Sequence, residues 1–79
     1  MDIQNNNEVY LDESLKEIYT QIYHKYAGVL DVAKNYTEHV IDSIHKNGKN
    51  MSDEDLSLMR KILYNSFICG VCYLDEQIS

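Results

Sequence analysis

The sequence predicts an all-α fold: an antiparallel helical hairpin of one long helix and a second helix, self-associating into a four-helix bundle. Three observations carry that expectation. First, apolar residues recur every three or four positions at Leu11, Leu15, Ile18, Ile22, Tyr26, Val29, Ala33, Tyr36, Val40 and Ile44, as one face of an α-helix requires. Second, a short polar linker around Gly48 separates this series from another helical pattern, and short connections join antiparallel neighbours. Third, residues 63–74 are apolar nearly all round, which marks a helix covered on both faces. Two helices cannot bury that much apolar surface alone, so a dimer is expected.

Residues 1–10 hold an Asn run, two acids and no helical period, which predicts a flexible arm; the alternative is a short ordered lead-in anchored by Ile3, Val9 or Tyr10. The hairpin domain then occupies 11–79. Leu11 opens the first helix, with Asp12, Glu13 and Glu17 in its early turns, where the positive end of the helix dipole favours carboxylates. The apolar phase does not slip before Ile44, which predicts a single helix over 11–46, about 50 Å long. Gly28 lies mid-pattern at a cost of about 1 kcal/mol relative to Ala, and a break there is the alternative to one continuous helix. Lys46 and Gly48 form the stop signal, a cation in the last turn followed by a residue free to adopt a left-handed conformation.

Ser52 starts the second helix by capping the backbone N–H of Asp55, with Asp53, Glu54 and Asp55 favouring its first turn. Leu56, Met59, Leu63, Phe67, Gly70, Leu74 and Ile78 form the stripe expected to face the first helix. Gly70 near its centre lets another backbone approach closely. Tyr64, Ile68 and Cys72 follow i, i+4, i+8 spacing on the expected outer side. With Gly70 and Val71, they make up the expected oligomer interface.

Charge and cysteine usage bound the function. The 79 residues carry 7 Lys and Arg against 13 Asp and Glu, a formal charge of −6, which repels phosphate backbones and anionic lipid surfaces. Direct nucleic-acid binding is not expected. No apolar run reaches a membrane span and Met1 does not begin a basic-then-apolar signal segment, so a soluble, cytoplasmic protein is expected. The 2 Cys, three apart, are too few and too close to staple a secreted fold.

Cys69 and Cys72 form a C-x-x-C pair without the strand-helix setting of a redox site or the second pair of a zinc site. They read as small apolar residues at a packed contact, with a redox or metal sensor as a lesser alternative. His24, His39 and His45 lack the i, i+4 relation of a helical metal pair and read as solvated side chains. No carboxylate combines with a base, a glycine loop or a Ser-His arrangement. The chain is therefore expected to be no enzyme, with no metal and no cofactor. The strongest functional signal is aromatic and acidic: 7 Tyr and no Trp, with Tyr19 and Tyr23 near Glu13, Glu17, Asp75 and Glu76 at the open end of a hairpin. Tyr anchors beside steering carboxylates suit a basic protein patch. A small acidic regulator or inhibitor is expected, acting on a nucleic-acid-handling protein by competing for its basic surface; the alternative is a structural subunit of a larger helical assembly.

Overall fold

The computed structural model describes residues 9–78 and contains three α-helices rather than two. The part of the expected arm over residues 1–8, including Ile3, lies outside the described residues. A 3₁₀ turn, Glu13–Leu15, leads into α1 (Lys16–Lys25), followed by α2 (Val29–Lys46) and α3 (Asp53–Ile78). All three helices touch one another, and the α2–α3 contact is the most extensive. The two-helix hairpin expected from the sequence is thereby corrected, and with it the four-helix bundle built from such hairpins.

The correction lies at Gly28. The Tyr26 backbone leaves the helical region at φ −139°, ψ 75°, while its N–H still closes α1 on the Ile22 carbonyl at 2.7 Å. Val29 N–H returns to the Tyr26 carbonyl at 2.9 Å, and Val32 N–H makes the next helical bond to Gly28 at 3.1 Å. These three backbone bonds span the break, and Gly28 lowers the helix propensity that opposes it. In return α1 folds against α3, burying Tyr19 and Ile22 almost completely. Continuous apolar phase is compatible with one helix or with two whose stripes meet a common partner, and burial selects the second.

Local chemistry places the end of α2 and the start of α3 as expected, whereas the helix start expected at Leu11 is replaced by a 3₁₀ turn, and α1 begins at Lys16. Asp12, extended at φ −116°, accepts from the Ser14 backbone N–H at 3.0 Å and caps the 3₁₀ turn. Gly48 takes φ +83°, and Lys49 N–H reaches back to the Ile44 carbonyl at 3.4 Å, closing α2. Ser52 Oγ accepts from Asp55 N–H at 3.2 Å and starts α3. α3 has 26 residues and spans about 39 Å, nearly the 42 Å long axis of the molecule.

The core joins Ile22, Leu30, Ala33, Tyr64 and Ile68 to Tyr10 and Tyr19. Thr37 is fully buried and donates its hydroxyl to the Ala33 carbonyl at 2.8 Å, so its polarity is satisfied within α2. Tyr64 and Ile68, at 1% and 0% exposure, lie inside this core, so the outward strip expected on α3 is its inward face. The reason is again the break at Gly28. Once α1 and α2 separate, they enclose α3 from two sides, and the enclosed arc is centred on Tyr64 and Ile68. Gly70, Leu74 and Ile78, expected inward, are exposed instead.

Candidate functional site

The segment before α1 is tied down by aromatic and polar contacts. Tyr10 is buried, its ring stacked on Tyr64 at 5.1 Å between centroids, and Tyr64 meets Tyr19 edge-on at 6.3 Å. The Tyr10 hydroxyl donates to Glu38 Oε2 at 2.7 Å, and Arg60 binds the same carboxylate through Nε at 2.8 Å and Nη2 at 3.2 Å. Asn65 Nδ2 donates to the Tyr10 carbonyl at 2.8 Å. The Tyr19 hydroxyl donates to Asn65 Oδ1 and accepts from Asp12 N–H. Tyr10, which the sequence grouped with the arm, thus joins the core, and one network links the lead-in to all three helices.

This network sets the pH window of the fold. The Arg60 guanidinium, aided by the Tyr10 hydroxyl, holds the Glu38 carboxyl below its ordinary 4.5. Burial, reinforced by Glu38, pushes the Tyr10 hydroxyl up to about 12, and burial does the same to Tyr64. A depressed carboxylate stabilises the fold above its unfolded value, and that contribution is lost as pH falls through the folded one. A raised phenol contributes below its unfolded value of 10.0, and its contribution is lost as pH rises toward about 12. Urea midpoints should therefore fall below about pH 4.5 and again above about pH 10, and Glu38→Gln should flatten part of the acid limb.

A groove of about 460 Å³ opens between α1 and the last turns of α3, lined by Thr20, Gln21, Ile22, His24, Lys25, Cys72, Asp75 and Glu76. A shallower hollow of about 420 Å³ continues it along α1, sharing Thr20 and Gln21 and adding Lys16 and Glu17. Half-buried Cys72 gives the groove apolar surface, with Ile22 almost wholly buried in its wall, and Glu76 stands exposed among its lining residues. At one end Lys25 Nζ pairs with Asp75 Oδ2 at 2.7 Å, and the Tyr26 hydroxyl donates to Oδ1 at 2.7 Å. These two donors, Lys25 first, hold the Asp75 carboxyl below its usual range. Cys72 Sγ lies 3.8 Å from Glu76 Oε1; burial first, then Glu76, pushes the thiol up, which keeps it protonated rather than nucleophilic.

The expected partner-binding residues are divided by this geometry. Glu13 and Glu17 are exposed on the 3₁₀ turn and α1, and Glu76 on α3. Tyr23 is half-buried, its ring edge-on to exposed His24 at 6.1 Å. Tyr19 is 2% exposed and Asp75 is held by Lys25 and Tyr26, so neither forms part of an open acidic surface. Of the expected interface set, Tyr64 and Ile68 are core, Val71 packs against it, Cys72 lines the groove and Gly70 is exposed. Local sequence pattern does not mark the pairing roles of Lys25, Tyr26, Glu38, Arg60 and Asn65, which depend on partners 22 to 55 positions away. Both cysteines are free thiols, and among the described residues no cluster of three His, Cys, Asp or Glu side chains is arranged to hold a metal ion. No helix among the described residues is long and apolar enough to cross a membrane. Comparison with protein-family models, with curated proteins and with solved structures finds no match to this chain, so the functional reading rests on the groove and the surfaces beside it.

Proposed function

We propose that the chain is a small, non-enzymatic regulator or inhibitor of the cytoplasm that occupies a basic surface on a partner protein. The observation that supports this reading is the groove between α1 and α3, where half-buried Cys72 lies beside the exposed carboxylate of Glu76, with Ile22 in the wall and Glu17 further along. A Lys or Arg side chain fits that chemistry in both its parts. Its aliphatic stem can lie on the apolar surface while its cationic head reaches a carboxylate. Lys25 already makes this kind of pairing with Asp75 within the chain. A formal charge of −6 adds long-range attraction, and a nucleic-acid-handling protein is the natural target, because carboxylates compete there with phosphate for the same cations. Self-association belongs to the same reading, since the apolar side chains left exposed on α3 lie apart from the groove.

A fluorescein-labelled Lys- and Arg-rich peptide, followed by anisotropy, tests the groove. Binding is expected to weaken as salt rises from about 50 to about 300 mM, and joint Glu13→Gln, Glu17→Gln and Glu76→Gln substitution is expected to weaken it about tenfold. All three carboxylates are exposed, so the thermal midpoint should stay within a few degrees. Equal binding of an acidic control peptide, or indifference to both salt and the triple substitution, overturns the reading.

A further inference from the structure

The groove between α1 and α3 already holds a cation of its own. Lys25, the last residue of α1, places Nζ 2.7 Å from Asp75 Oδ2, and the Tyr26 hydroxyl donates to Oδ1 of the same carboxylate at 2.7 Å. Both donors owe their positions to the break. α1 ends at Lys25 and the Tyr26 backbone turns out of the helix at φ −139°, ψ 75°, so two successive residues reach the two oxygens of a side chain 50 and 49 positions away. The pair is unequally covered: the Asp75 side chain is 16% exposed and that of Lys25 is 55% exposed. The carboxylate is the covered member and the lysine the outer one.

We infer that Lys25 is a built-in competitor: it takes the place on Asp75 that a Lys or Arg of the basic partner would occupy, and the partner displaces it on entering the groove. The inference rests on the groove reading above and adds the regulation of that site. Three features support it. An ammonium on a carboxylate is the same contact the partner is proposed to make, and Asp75 lines the groove directly beside Glu76. An exposed lysine pair is weak, screened by salt and opposed by side-chain entropy, so another cation can replace it. The docking of α1 on α3 does not depend on the pair, because Tyr19 and Ile22, each 2% exposed, carry that contact. Exchange of one cation for another on Asp75 returns to the partner only the excess of its own contact over that of Lys25. Removing Lys25 therefore lifts a cost of binding while leaving every carboxylate in place.

Anisotropy of the fluorescein-labelled Lys- and Arg-rich peptide, titrated with the full chain, tests the exchange. Lys25→Gln is expected to tighten binding about threefold. Lys49→Gln makes the same change in net charge but lies before the 26-residue α3, at the end opposite Asp75, and is expected to leave binding unchanged because salt screens a charge so distant. Lys25→Arg keeps the cation, so it should bind the peptide no more tightly than the unmodified chain. In an Asp75→Asn background Lys25→Gln should gain nothing, since the competitor then has no carboxylate to occupy. The helical signal and thermal midpoint should stay close to those of the unmodified chain in each variant, as Lys25 is exposed and the core is untouched. Equal effects of Lys25→Gln and Lys49→Gln, or a gain from Lys25→Gln that persists in the Asp75→Asn background, overturn the exchange while leaving the groove reading in place. A peptide that binds none of these chains overturns both.

Discussion

Ile68→Asp is expected to unfold the chain. Ile68 is fully buried in the cluster that joins α3, through Tyr64 and Ile68, to Ile22 of α1 and Leu30 of α2. Removing most of a buried isoleucine costs about 2 to 5 kcal/mol, and an unpaired carboxylate in the same space adds further destabilisation. A core in a domain of this size contributes only about 3 to 5 kcal/mol in total, so the loss equals or exceeds the stability available. The far-ultraviolet helical signal at 25 °C should therefore collapse, and the milder Ile68→Val should lower the urea midpoint without abolishing the fold. A helical, cooperatively melting Ile68→Asp protein would show that Ile68 faces solvent. Ile62→Asp makes the contrast, since Ile62 is exposed: these substitutions are six residues apart on one helix, and only the inward one should unfold it.

Tyr19 carries the second large effect, because its ring and its hydroxyl act separately. The ring is 2% exposed and lies edge-on to Tyr64, so Tyr19→Ala should cost about 3 to 5 kcal/mol. Tyr19→Phe keeps the ring but leaves Asp12 N–H and Asn65 Oδ1 without this partner, costing about 1 to 2 kcal/mol. Because Asn65 also holds the Tyr10 carbonyl, Asn65→Ala should be non-additive with Tyr19→Phe in a double-mutant cycle read by urea denaturation. Strict additivity would show that the hydroxyl does not act through Asn65. Proteolysis near residue 10 should accelerate in either single variant, since the network anchors the chain entry to α1.

The division between these positions shows what could be read from the chain alone. Helix content, the end of α2 at Gly48 and the start of α3 at Ser52 are written in adjacent residues. A positive-φ glycine and a capping hydroxyl act within a few positions of themselves, so the sequence determined them. The exposed carboxylates of Glu13, Glu17 and Glu76 were legible for the same reason, since a polar side chain at a terminal or polar-side position needs no distant partner. The break at Gly28 was visible only as an option, because an unbroken apolar phase describes equally one helix against one partner and two helices against a shared one. Only the tertiary structure decided it, through the burial of Tyr19 and Ile22 against α3, which outweighs the backbone interrupted there. That decision also reversed α3: on a segment apolar nearly all round, phase cannot say which arc is inward, and enclosure by α1 and α2 turned Tyr64 and Ile68 into the core. Tyr10, Glu38, Arg60 and Asn65 owe their roles to the same closure, since hydrogen bonds across 22 to 55 residues exist only once the helices have packed.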